Sequence, residues 1–198
     1  MKPILFSTDM VRAILDGRKT QTRRVLKPQP KGTPHYNSLR YHWYDPYLGT
    51  VNPELQFLND VIPMPRQPFR AGDILWVRET WLEAEGSYHY LADTTSEIQR
   101  CLTDDGHRWK PSIHMPFEAA RLLLGVTDVR AERLSDISLE DIKAEGIIDP
   151  EKLSFPDLWS STIKPKDREK YGWSANPWVW VYTFEKISKE EAQRRNGN

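Results

Sequence analysis

The sequence predicts an α+β fold: a small, mostly antiparallel β-barrel with short helices at its ends and long inserted loops. Three observations predict it. Short β-prone runs recur along the chain, only two amphipathic helical segments interrupt them, and the βαβ rhythm of a parallel sheet is absent. No internal repeat is visible, and 198 residues suit one domain carrying insertions.

Ile4, Leu5 and Phe6 form a short apolar start. Ser7, Thr8 and Asp9 then offer N-cap chemistry, and Val11, Ile14 and Leu15 recur at helical spacing until Gly17, which stops the helix from just beyond its C-cap. Lys19 to Leu26 carries Thr20, Thr22 and Val25 among basic residues and reads as a strand entered directly from that helix. Over residues 27–71, Pro28, Pro30, Pro34, Pro46, Pro53, Pro63, Pro65 and Pro68 interrupt every candidate element, which predicts an insertion with room for one short strand.

A Gly72-Asp73 turn leads into Ile74 to Trp81, a core strand that Tyr88 to Ala92 can pair with across Glu83 to Ser87. Within it Arg78 and Glu79 read as an internal ion pair at the barrel mouth. Residues 93–111 form a second, polar insertion. Arg121 to Leu134 is the longest β-like run. Leu122, Leu124 and Val126 lie on one phase, Val129 and Ala131 on the other, so a bulge is expected, with Gly125 as its mark. Ser138 followed by Asp141 resembles a capping box for a short helix through Leu139 and Ile142 that Gly146 stops, with Glu145 at its edge. A third insertion, 148–175, holds Phe155 to Trp159 in a loop. Trp178 to Phe184 is a final strand apolar on both sides, and 188–198 is a charged, solvated tail.

Composition narrows the function. The 28 basic and 28 acidic residues cancel, so any nucleic-acid contact must be local. A single cysteine, Cys101, excludes an internal disulfide framework, the Met1–Phe6 start is too short for a signal peptide, and no apolar run approaches the roughly 20 residues of a membrane span. The expectation is a cytoplasmic protein without a membrane role. His35, His42, His89, His107 and His114 are scattered without zinc-ligand spacing, and no Gly-rich phosphate loop occurs, so neither a metal nor an organic cofactor is expected. Among the many aromatic residues Trp76 reads as core, whereas Trp81 and Tyr90 are candidate pocket walls, base stacking being worth roughly 1–3 kcal/mol.

Gly17-Arg18-Lys19-Thr20-Gln21-Thr22-Arg23-Arg24 sets four cations and two hydroxyls at a helix-to-strand junction. Such a run serves either as a solvated edge strand or as a donor set for phosphate oxygens or a polarised carbonyl. Together with Gly72-Asp73 before a β run and a helix ending in Ala144-Glu145, it resembles the ASCH family of the PUA-like superfamily. Leu75 to Trp81, Ser112 to Pro116 and Asn176 to Trp180 resemble a longer, phage- and prophage-associated branch of that family.

The resemblance implies a PUA-like barrel and a ligand that is a modified nucleoside or RNA. Small bacterial members of the family are amidohydrolases that remove acetyl from N4-acetylcytidine with a lysine, a threonine and a glutamate. Aligned by motif, Lys19, Thr22 and Glu145 take those places, with Arg18, Arg23 and Arg24 beside Trp81 and Tyr90 as the binding residues. Thr22 is then the nucleophile, Lys19 its base once burial or neighbouring cations lower its pKa, and Glu145 the acid that protonates the departing amine. A three-residue spacing puts Lys19 and Thr22 on opposite faces of a regular strand, so this chemistry requires an irregular backbone there. The insertions after Leu26, Trp81 and Ile147 depart from the small enzymes. Two alternatives stand beside the hydrolase: a non-catalytic module that binds RNA or modified nucleic acid, and a ribonuclease.

Overall fold

Strand β7 (Trp178–Ile187) shows why the chain folds as a layered sheet. Its even-numbered residues Trp178, Trp180, Tyr182 and Phe184 enter one hydrophobic cluster, while Val179 and Val181 enter a second on the opposite face and Ile187 a third. A strand apolar on both faces must be covered on both.

The computed structural model describes residues 1–29, 67–147 and 154–196. Most of the first insertion, any strand within it, and the start of the third lie outside the described residues. The described order is β1 (Lys2–Leu5), α1 (Thr8–Leu15), β2 (Gln21–Val25), β3 (Ile74–Arg78), β4 (Trp81–Ala84), β5 (Ser87–Tyr90), α2 (Ser96–Asp104), β6 (Leu123–Arg133), α3 (Leu139–Ala144), α4 (Phe155–Thr162), α5 (Arg168–Tyr171), β7 and α6 (Lys189–Asn196).

Five strands make one sheet in the order β1-β3-β6-β7-β2. All neighbours are antiparallel except β1 and β3. The fold is therefore mixed α+β with a mostly antiparallel sheet and short helices. The expected barrel does not close: β1 and β2 are the two edges, and among the described residues no backbone ladder joins them. Instead an Arg24 Nη2–H donates to the Leu5 carbonyl at 2.9 Å, one side chain spanning the seam. A long cationic side chain reaches across a gap that a backbone ladder, with strands about 4.8 Å apart, would have to fill.

The largest cluster lies between the sheet and α1, where Phe6, Val11 and Ile14 meet Leu75, Leu124, Val126 and Tyr182. α1 is fixed as its sequence suggests: Ser7 Oγ accepts from the Met10 amide at 3.4 Å, and Gly17 adopts φ +75° past the last turn. Helix α4 covers the other face through Phe155 and Trp159, beside Val179 and Val181. This stretch was expected as loop, but burial of Phe155 and Trp159 at helical spacing, with Ser154 capping Asp157, makes it a helix.

The phase change in β6 resolves into one face. Val126 pairs with Phe184 and Asp128 with Thr183, so Thr127 has no register partner. That extra residue returns Val129 and Ala131 to the cluster that holds Leu122, Leu124 and Val126. The bulge is thus two residues beyond Gly125, which is itself in register with Glu185 and Ile74. Gly125 has a different use: a Cβ there would lie 2.6 Å from Arg195 Nη1. Arg195 belongs to α6, which docks by burying Ala192 against Ile74, Leu123 and Ile187. The start of the charged tail is a packed helix as well as a solvated one.

The run from Ile74 to Trp81 also divides, into β3 and β4. β5 pairs with β4 through Trp81↔Tyr90, around a turn at Glu85 (φ +52°) and Gly86 (φ +73°). The second insertion contains α2, capped by Thr95. No helix among the described residues is long and apolar enough to cross a membrane.

Deleting Thr127 is expected to preserve cooperative unfolding, because Asp128 to Ala131 keep both their β7 partners and their faces once the unpaired residue is gone. Thr127→Ala, at an exposed position, is expected to stay within about 0.5 kcal/mol of the parent in urea titration. A deletion variant that loses cooperative unfolding would contradict the assignment of Thr127 as the unpaired residue.

Candidate active site

The helix-to-strand junction is irregular because its backbone changes partners. Lys19 forms an isolated antiparallel bridge with Glu145, the Thr20 amide donates to the Ala144 carbonyl, and the Thr20 carbonyl accepts from the Phe184 amide. Within two residues the chain leaves the end of α3 and joins β7. Gly146 makes that approach possible: φ +94° is costly for other residues, and a Cβ would lie 2.8 Å from Ala13 Cβ and 3.1 Å from Lys19 Cβ. On the α3 side Ser138 Oγ accepts from the Asp141 amide at 3.1 Å and fixes where the helix begins, while Glu145 stands at its C-cap just before Gly146.

Lys19 and Glu145 meet inside the protein. Lys19 Nζ donates to Glu145 Oε2 at 2.6 Å and to the Glu145 carbonyl at 2.9 Å. Their side chains are 0% and 5% exposed. The second carboxylate oxygen, Oε1, accepts from Arg23 Nη1 at 3.2 Å. Both Glu145 oxygens are thus held by cations. This differs from the expected acid role, in which one oxygen would be free to carry a proton to the leaving amine.

Arg23 was expected among the binding residues, but its donors are spent inside. Nε and Nη2 bind Glu132 Oε1 at 3.0 and 2.7 Å, and Nη2 also reaches Asp141 Oδ2 at 2.9 Å. Arg130 serves the same two acids. Register explains the grouping, since Lys19, Gln21 and Arg23 share one strand face, the one turned to α3. Arg18 is likewise engaged, by Asp16 and the Gly146 carbonyl.

Thr22 and Arg24 share the other face. Thr22 is 1% exposed, and its Oγ1 accepts from Arg24 Nη1 at 2.9 Å. No hydrogen bond joins Lys19 Nζ to Thr22 Oγ1 among the described residues. The two halves meet at Phe6, whose ring centroid lies 5.6 Å from Lys19 Nζ and 5.4 Å from Arg24 Cζ. Beside them opens a cavity of about 570 Å³, lined by Arg23, Arg24 and Phe6 along with Met10, Leu158 and Ile163. Lys19, Thr22 and Glu145 are not part of that lining, whereas Arg23 and Arg24 belong to both lining and cluster.

Burial lowers the Lys19 pKa below its ordinary value of 10.5. Glu145 opposes this through charge and hydrogen bonding, and Arg24 and Arg23 reinforce it. Burial likewise lowers Arg24, against the pull of Glu145 and Tyr182.

Trp81 and Tyr90 lie elsewhere, neither lining this cavity. They face each other across the β4–β5 hairpin with Met115 and Ala119, and the Tyr90 hydroxyl donates to the Ala119 carbonyl at 2.7 Å. Alternation places their rings inside a small satellite core. Beside them Glu79 pairs with Arg121 at 2.8 Å rather than with Arg78, whose guanidinium binds the Met115 and Ile113 carbonyls. Arg121 also binds Asp93 and lies 4.0 Å over the Tyr90 ring. Sequence reading missed this cluster; an acidic residue in an apolar run, Glu79, was the signal that a distant arginine had to answer. Among the described residues no group of three or more His, Cys, Asp or Glu is placed to hold a metal ion.

No family model, no curated protein and no solved structure matches the chain.

A lysine whose pKa falls on folding penalises the folded state while it must carry its proton. The penalty fades as pH rises through the folded pKa toward 10.5. Relative to Lys19→Met, the stability of the parent protein is therefore expected to improve as pH rises from 7 to 10. Urea midpoints of both proteins across that range check it; a parent that weakens relative to the variant contradicts it.

Proposed function

We propose that this chain is an ASCH-type amidohydrolase that removes an acyl group from N4-acetylcytidine or a related N-acylated nucleoside, using Lys19, Thr22 and Glu145. The supporting observation is the 2.6 Å pairing of buried Lys19 and Glu145, 126 residues apart, with the Thr22 hydroxyl held by Arg24 on the opposite strand face and both halves meeting at Phe6.

Thr22 Oγ attacks the acyl carbon while its proton passes to Lys19, and the carbonyl becomes a tetrahedral oxyanion. Collapse breaks the C–N4 bond, the amine takes the proton that Lys19 had accepted and leaves as cytidine, and Thr22 holds the acyl ester. Water then attacks that ester, releasing carboxylate and restoring the hydroxyl. The lowered Lys19 pKa supports its role as base, and the Arg24 N–H on Thr22 Oγ1 eases loss of the threonine proton. With no direct Lys19–Thr22 bond, the proton crosses through a water or after Lys19 turns, an alignment that commonly tightens only with substrate bound. Glu145 acts as the carboxylate that fixes Lys19, not as the donor to the amine.

The distribution of arginines supports a nucleoside-sized ligand over a long strand. Arg18 and Arg23 are bound to acids or carbonyls, which leaves no row of free cations along β2 for a phosphate backbone.

Purified protein incubated with N4-acetylcytidine is expected to yield cytidine by chromatography. Lys19→Ala and Thr22→Ala are each expected to slow this by at least about 10²-fold. Absence of cytidine from folded parent protein over hours would overturn the reading for this nucleoside.

A further inference from the structure

Of Arg18, Arg23, Arg24 and Arg121, Arg24 alone leaves its Nε/Nη2 edge without a carboxylate partner among the described residues. Arg23 places Nε and Nη2 on Glu132, Arg121 places them on Glu79 at 2.8 and 2.9 Å, and Arg18 places them on Asp16 at 3.3 and 2.7 Å. Arg24 differs. Its Nη1 donates to Thr22 Oγ1 and to the Arg23 carbonyl at 3.1 Å, and its Nη2 to the Leu5 carbonyl. A guanidinium has five N–H donors, so three bonds leave Nε–H and one Nη2–H without a partner among the described residues. Every acceptor it does have is neutral, and no carboxylate lies within ion-pair range among the described residues, whereas each of the other three meets one.

This half-buried cation, without a carboxylate in ion-pair range among the described residues, lines the cavity and touches the candidate nucleophile. An arginine with an open fork accepts a planar or tetrahedral oxyanion through two parallel bonds. Arg23 also lines the cavity, but its donors are taken by Glu132, Asp141 and Glu145, and the rest of the lining, with Leu5, Met10, Val25, Leu158 and Ile163, carries no charge.

We infer that the free Nε/Nη2 edge of Arg24 is the oxyanion-binding group of this cavity: it takes the acyl oxygen of the substrate as negative charge develops there, and afterwards the carboxylate product. This rests on the amidohydrolase reading for the reacting group, but the anion site itself does not. In the attack of Thr22 Oγ on the acyl carbon, the C=O electron pair moves to oxygen and is received by Arg24. When the C–N4 bond breaks the pair returns, so Arg24 gains and loses no proton.

Two measurements test it. In the first, the parent protein, ¹⁵N-labelled, is titrated with sodium acetate while the arginine Nε–H resonances are followed by NMR, with sodium chloride as control. The expected result is a saturable shift of the resonance that disappears in the folded Arg24→Gln variant. A parent spectrum that acetate leaves unchanged, or a shift retained in Arg24→Gln, overturns the inference, and neither readout requires turnover. In the second, Arg24→Lys keeps the charge and loses the fork. Its kcat on N4-acetylcytidine is expected to fall about 10²–10³-fold with KM nearly unchanged, as for loss of a transition-state donor. Equal kcat in parent and Arg24→Lys overturns the inference. A parent protein that binds acetate through Arg24 yet yields no cytidine sinks the hydrolase reading and leaves the anion site standing.

Discussion

Everything around the candidate site depends on one buried carboxylate. Glu145 sits where α3 ends and accepts from Lys19 and Arg23, both almost fully buried. Two cations beneath α1 and beside β2 would be intolerable alone, since removing one partner of a buried ion pair costs about 3–5 kcal/mol. Glu132 and Asp141 complete the compensation for Arg23. The network ties together α1's exit, β2, β6 and α3, adding side-chain links between β2 and β6, which β7 separates in the sheet, and between both strands and α3. It also separates two neighbouring arginines by parity: Arg23 faces the acids and is used up, while Arg24 faces Thr22 and is not.

That asymmetry connects fold to chemistry. An open sheet leaves a seam between β1 and β2, a single arginine crosses it, and the same arginine borders a cavity and holds the Thr22 hydroxyl. A closed barrel would replace the Arg24 bond to Leu5 with backbone pairing and remove the reason for a cation to lie there.

Local chemistry was readable where it is encoded locally. Ser7 and Gly17 bound α1, Ser138 and Gly146 bound the helix that presents Glu145, and the alternating runs mark the strands of the sheet. The two-phase pattern of β6 announced a bulge, yet its position depends on register with β7, which no single strand contains. The Lys19–Glu145 bridge is of the same kind: nothing in spacing unites residues 126 apart, and only the family resemblance set them together. Arg23 and Arg24, adjacent and identical, were indistinguishable in sequence because their difference arises from which face meets α3. The helices α4 and α6 escaped notice because few apolar residues anchor each, and Glu79's partner because Arg121 comes from another segment.

The most direct test of Thr22 as nucleophile is to quench the reaction with N4-acetylcytidine in acid and map the peptides by mass spectrometry. The account predicts an acetyl ester on Thr22 that forms with cytidine and is absent from Thr22→Ala. Cytidine released without acylation of Thr22, or an acetyl group found on Lys19 instead, would contradict it.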